Sequence, residues 1–180
     1  MPYEKVHVTI SDETIRSGGI SAIIEPVWWL ADNRDQASYE ESMSQFTEPQ
    51  RFVYALRWYC SEVSNGGHHQ FYYNSNGNVW KDACYGFAAI GVKKGASIIF
   101  ATVDRIGEEP AFDRGTRQSQ LDQMNGNFKD LDDRFYELKK STDLDQIIID
   151  YIQSNCEAFY WSGNFVRFIL PAPNRKPFSA

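Results

Sequence analysis

The sequence predicts an all-α protein, and three observations carry that expectation. Apolar residues recur at spacings of three and four, glycine or glycine–asparagine clusters punctuate the runs, and no sustained alternation of apolar and polar residues interrupts them. Ser11 followed by Asp12 and Glu13 reads as an N-cap with acids in the first turn, opening a short helix that Gly18 and Gly19 stop. In ISAIIEPVWWLADN, Pro26 disfavours helical geometry at Glu25, so a helix begins afresh at Pro26. Residues 35–46 form a surface helix with a thin stripe of Tyr39, Met43 and Phe46.

Thr47 caps the next helix, with Glu48 and Pro49 in its first turn, where the missing proline donor costs nothing. Val53, Leu56, Cys60 and Val63 form one buried seam that Phe52, Ala55 and Tyr59 widen. Asn65, Gly66 and Gly67 end that helix, and another turn or two runs through Tyr73 until Asn74, Ser75, Asn76 and Gly77 stop it. Val79 to Val92 is a further helix along Ala83, Phe87 and Ile90. Gly95 breaks it, Ala96 to Ile106 is seamed by Ile99, Val103 and Ile106, and Gly107 closes it. EEPAFDRGTRQ is a loop by composition, and two helices follow at 117–139 and 143–160, the second presenting Leu144, Ile147, Ile148, Tyr151, Ile152 and Phe159. NFVRFIL is the best strand candidate. Residues 1–170 are expected to form one compact multi-helix domain, and 171–180, PAPNRKPFSA, a flexible and disordered tail.

Composition bounds the function. At 180 residues, 42% hydrophobic and 15% aromatic, the chain has enough apolar mass for one core. No apolar run approaches the roughly 20 residues needed to span a bilayer, and MPYEKVHVTISDE lacks the apolar stretch of a signal peptide, so a cytoplasmic protein with no membrane partner is expected. Cys60, Cys84 and Cys156 are odd in number and widely spaced, which fits free thiols. The net charge of −6 is uneven, with nine acids against three bases in residues 1–50 and thirteen against seven in 101–160. Such a protein is a poor direct partner for nucleic acid and a suitable one for a basic protein.

Glu62 to Trp80, EVSNGGHHQFYYNSNGNVW, is the most distinctive stretch. With IIEPVWW at 23–29, PQRFVYALRWYC ahead of it and LDDRFYEL at 131–138, it resembles a bacterial domain-of-unknown-function family of small helical proteins that includes a DNA mimic protein. The run NGG-x-x-QFY-x-NS-x-G fixes glycines, amides and aromatics together, although Ser64 stands where asparagine is more usual. The resemblance implies a helical fold and a non-enzymatic interaction protein. In the DNA mimic, acidic side chains spaced like phosphates occupy a DNA-binding protein.

Two groups of residues are candidates for the site. Asp130, Asp132, Asp133, Glu137, Asp143 and Asp145 lie within sixteen residues and form the candidate partner-binding surface for a basic or DNA-binding protein. The competing reading is a solvated helix face with local pairs such as Asp130 with Arg134. His68, Gln70, Tyr72 and Asn74 form the second candidate, a pocket for a small ligand or a reaction, against which stands a junction where glycines end helices and amides bond exposed backbone. An immunity-type or regulatory partner of some other basic protein is a third reading.

Chemistry-bearing motifs are thin. His68 and His69 point about 100° apart on a helix and lack the spacing of metal ligands, so no metal and no other cofactor is expected. Cys60 lies on an apolar seam rather than in the electropositive setting a nucleophile needs, and no catalytic residue is assigned. GVKKGAS lacks the preceding strand of a phosphate loop. The oligomeric state, monomer or homodimer, stays open.

Overall fold

A computed structural model describes residues 3–124 and 126–168. Ten helices dominate them: α1 (Asp12–Ser17), α2 (Ile20–Ile23), α3 (Glu25–Leu30), α4 (Gln36–Met43), α5 (Glu48–Tyr73), α6 (Trp80–Ala89), α7 (Lys93–Ile106), α8 (Arg114–Gln123), α9 (Lys129–Ser141) and α10 (Leu144–Ser154). Short 3₁₀ turns occupy Ser75–Val79 and Cys156–Phe159. None of these helices is long and apolar enough to cross a membrane. The expected tail at 171–180 lies outside the described residues, as do Ile169 and Leu170.

The all-α expectation needs one correction. Strand β1 (Tyr3–Ile10) pairs antiparallel with β2 (Trp161–Phe168), from Tyr3 opposite Phe168 to Ile10 opposite Trp161. The fold is therefore mostly helical with a two-stranded sheet that joins the two ends of the described chain. Val6, Val8 and Ile10 alternate with Lys5, His7 and Thr9, so the period-two signal was present in the sequence. It was too short to call a strand without its partner, which lies more than 150 residues away. Inside the sheet, Ile10 and Phe165 are buried, and Arg167 pairs with Glu4 and Glu25.

α5 is the axis around which the rest is arranged. Val53, Leu56 and Val63 of the expected seam are fully enclosed, with Ala55 and Tyr59 beside them, whereas Cys60 and Phe52 are half-buried. The Thr47 capping box is also present: Thr47 Oγ1 accepts from Gln50 N, while Gln50 Oε1 accepts from Thr47 N at 3.0 Å. α6 packs closely on α5 because position 86 is glycine, where a Cβ would meet Leu56 Cγ at 2.9 Å. Gly95 does not break the chain as expected. It lies in the first turn of α7, where the Phe87 ring fills the space of a side chain: a Cβ there would stand 2.4 Å from a ring carbon. Close approach of α6 and α7, rather than backbone freedom, explains that glycine.

Two other boundaries differ. The single helix expected at 117–139 is two, because α8 starts earlier, at Arg114, with Asp113 as N-cap to Thr116 N, and Met124 turns to extended geometry. The stretch read as loop thus supplies the start of a helix. α10 ends at Ser154, before Phe159, which the following 3₁₀ turn buries instead.

Candidate functional site

The candidate pocket residues and one of the candidate acids, Asp132, meet at the junction inside α5. Gly66 (φ −155°, ψ 23°) and Gly67 (φ 74°, ψ −177°) leave helical geometry, and the chain then resumes as helix from His68 to Tyr73. The glycines therefore kink α5 rather than end it. At Gly67 the positive φ is one that L side chains rarely adopt, and a Cβ would stand 2.6 Å from Asp132 Oδ2.

Asp132 reaches this point from α9 and acts as the N-cap of the resumed helix. Its Oδ1 accepts from His68 N at 2.8 Å and from His68 Nδ1 at 2.5 Å. With Nδ1 as donor, Nε2 of the neutral ring is the acceptor for the Tyr59 hydroxyl, 2.7 Å away. His68 and Tyr59 are both fully enclosed, amid Phe71, Phe128 and Phe135. Burial opposes the charged form of Asp132, and the hydrogen bonds from the His68 ring and amide outweigh it, so its pKa lies below the usual value. Burial pushes the Tyr59 hydroxyl well above its ordinary pKa, which keeps it a donor.

A depressed folded pKa contributes stability that is present above the unfolded value of about 3.9 and is lost as pH falls through the folded one. In Asp132→Asn that contribution is missing. Urea unfolding should show the difference between wild type and variant narrowing from pH 6 to pH 2.5, and a difference that stays constant over that range would contradict the cap.

On the other side of the kink one carboxylate organises three amides. Glu62 Oε2 accepts from Gln70 Nε2 at 2.8 Å and Asn74 Nδ2 at 2.9 Å, and its Oε1 from Asn76 Nδ2 at 3.1 Å. Glu62, Gln70 and Asn74 are half-buried and Asn76 is buried. Gly66 leaves room for this cluster, since a Cβ there would stand 3.0 Å from Gln70 Cβ and closer still to its amide.

The C-terminal end of α5 is held by Arg117 of α8, which is fully buried. Its Nε donates to Tyr72 O at 2.6 Å, Nη1 to Ala111 O and Phe112 O at 2.7 and 2.8 Å, and Nη2 to Asn74 O and Ser75 O at 2.6 and 3.3 Å. All five guanidinium donors thus meet backbone carbonyls, three of them at or beyond the end of a helix, where the dipole favours a cation. Burial lowers the Arg117 pKa to about 10, which leaves it charged at neutral pH. Gly77 makes the approach possible: a Cβ there would lie 2.6 Å from Arg117 Nε and 2.7 Å from Phe71 O.

The expected pocket residues are thus distributed as follows. His68 and Tyr72 are enclosed, and the Tyr72 hydroxyl bonds Thr102 Oγ1 at 2.7 Å. Gln70 and Asn74 share Glu62 rather than bonding each other. His69 stacks on Tyr73 at the surface and His7 lies on β1, so the three histidines point to separate places. The Cys60 thiol is pushed up to about 12 by burial. Glu62, Asn76, Tyr59 and Arg117 are the members not assigned to this site from the sequence. Arg117 carries no motif signal, because its partners are backbone carbonyls.

The expected partner-binding acids fare differently from one another. Asp130 pairs with Arg105 of α7, not with Arg134, and that guanidinium holds its pKa down at about 2. Asp132 is the cap described above, Asp133 pairs with Lys129, and Asp145 pairs with Arg57 at 2.5 Å. Asp143 caps α10 by accepting from Gln146 N at 3.0 Å. Glu137 is exposed on α9 without an ion pair among the described residues.

A second acidic region emerges only in three dimensions. Residues 35–50 contain no lysine or arginine, and neither do residues 141–166. They meet where Thr47 Oγ1 donates to Ala158 O at 2.7 Å and Gln50 Nε2 to Phe159 O at 3.4 Å. The Tyr160 hydroxyl donates to Asp12 at 2.5 Å, which brings α1 to the same place. Asp12, Glu13, Glu48, Asp145, Asp150 and Glu157 are all exposed on these elements. Of the bases nearby, Arg51 turns to Asp82 and Arg57 to Asp145, which leaves Arg16.

A family model described as DMP19-like protein matches residues 44–155. No curated protein and no solved structure matches the chain.

Proposed function

The chain belongs to the DMP19-like protein family, and from that premise we propose a non-enzymatic interaction protein of DNA-mimic type, whose acidic surface occupies the basic groove of a DNA-binding protein. The observation that carries this reading is the meeting of two base-free segments, 35–50 and 141–166, with α1. Glu48, Asp150 and Glu157 have no lysine or arginine on their own segments and are exposed. Asp143 and Asp145 continue this surface. Asp130, Asp133 and Glu137 share α9 with Lys129, Arg134, Lys139 and Lys140, so the field there is weaker. Carboxylates concentrated on one face speed the encounter with a basic partner and make it salt-dependent.

The small-ligand reading at His68, Gln70, Tyr72 and Asn74 has less to rest on, because those groups are engaged with Tyr59, Glu62, Asp132 and Thr102.

The test is a pull-down with the full chain, repeated with excess duplex DNA and with the variant Glu48→Gln/Asp150→Asn/Glu157→Gln. A DNA-binding protein should be captured, released by duplex, and bound about 3- to 150-fold more weakly by the variant, each of the three rim charges contributing about 0.2–1 kcal/mol. A partner that duplex DNA leaves in place, or that the variant binds equally well, sinks the reading.

A further inference from the structure

We propose that the groove between the middle of α5 and the turn from α9 to α10 binds a small phosphate monoester with an apolar body. Asp143 and Asp145, at the edge of the acidic surface, also line this groove, and the proposal does not depend on that surface binding a partner. The groove has a volume of ≈ 740 Å³, inside the range of about 300–1,000 Å³ typical of small-molecule sites. Its lining is divided in character: Arg57, Lys139 and Lys140 supply positive charge, and Cys60, Leu144 and Ile148 supply apolar surface.

The lining carries three cations against the two carboxylates of Asp143 and Asp145, so its charge is net positive by one. Asp145 is engaged by Arg57 at 2.5 Å, and the Asp143 carboxylate accepts from the backbone of α10 at 3.0 Å. Lys139 donates to the Ser64 hydroxyl at 2.8 Å, and neither Lys139 nor Lys140 has a carboxylate within 4.0 Å among the described residues. Ser64 in turn donates to Cys60 O at 2.5 Å, which orients its oxygen toward the lysine. Ser61 and Thr142 place two further hydroxyls on the same lining.

Two ammonium groups beside several hydroxyls suit a phosphate dianion, whose terminal oxygens accept from many donors at once, better than a planar carboxylate, which pairs best with a guanidinium fork. Arg57 Nη1 is already engaged by Asp145. The apolar lining beside the lysines gives a ring or short chain attached to the phosphate a place to leave water.

The experiment is an amide NMR titration of the full chain with phenyl phosphate, inorganic phosphate and phenol as separate probes. Phenyl phosphate should shift the amides of Ser61, Ser64, Ser141 and Thr142 saturably, and each of the other two probes should bind at least about tenfold more weakly. Lys139→Gln/Lys140→Gln should lose at least tenfold in affinity, while Lys5→Gln on β1 should lose none. Should the double variant fold poorly, Lys140→Glu serves, since Lys140 makes no hydrogen bond to another described residue. Absence of saturation, unchanged affinity in the lysine variants, or equal shifts around Lys93 and Lys94 overturns the proposal.

Discussion

Replacing Arg117 with alanine is expected to destabilise the protein by about 4 kcal/mol, because five backbone carbonyls lose their donors in a closed interior. At roughly 2–4 °C per kcal/mol for a chain of this size, the thermal midpoint should fall by about 10 °C. Arg117→Met distinguishes two accounts. Replacing a whole buried ion pair with apolar groups is often neutral, but here the partners are carbonyls that no side-chain substitution removes, so methionine should restore packing and still leave a loss near 3 kcal/mol. Arg117→Lys should be intermediate, since three ammonium donors cannot serve five acceptors spread around a planar fork. Urea unfolding of the three variants checks the order. An alanine variant within about 1 kcal/mol of wild type would show that the five bonds merely offset the cost of burying the guanidinium.

Gly67→Ala is expected to cost about 3 kcal/mol. A β-carbon at φ 74° is strained by itself, at roughly 1–2 kcal/mol, and it also stands where Asp132 Oδ2 lies, so the cap on the resumed helix must move. A double-mutant cycle with Asp132→Ala separates the two effects. The backbone strain persists in the double variant and the clash does not, so the two losses should fall short of additivity by about 1 kcal/mol or more. Full additivity would mean that Gly67 and Asp132 act independently, and the reading of Asp132 as a cap would fail. Gly66→Ala should be milder, because its steric conflict is chiefly with the movable amide of Gln70.

These two sites explain most of the NGG-x-x-QFY-x-NS-x-G run as physical necessity. Gly66 makes room for the amides on Glu62, Gly67 for the Asp132 cap, and Gly77 for Arg117. The motif was legible as a helix junction from its composition, since glycines and amides gather where backbone groups lose their helical partners. That it kinks a helix instead of ending it was not legible. The same glycines serve either purpose, and the deciding groups, Asp132 and Arg117, lie some forty to sixty-five residues further along the chain.

The helices were readable where the signal is local. The Thr47 capping box, the seam from Val53 to Val63 and the αL glycine at Gly107 after α7 are all set by neighbours within a few residues. Gly95 misled for the opposite reason. A glycine read alone suggests a break, and only the Phe87 ring of the preceding helix reveals it as a packing position.

The sequence by itself determined where most helices run and where acids outnumber bases, because periodicity, capping and composition act over a few residues. Tertiary structure decided that the two ends pair as a sheet, that Asp132 caps the helix resuming at His68, and that two base-free segments meet. Each of those outcomes depends on which polar groups find one another across long sequence separations. Once buried, such groups must be paired or charged at full desolvation cost, and no local pattern encodes the pairing.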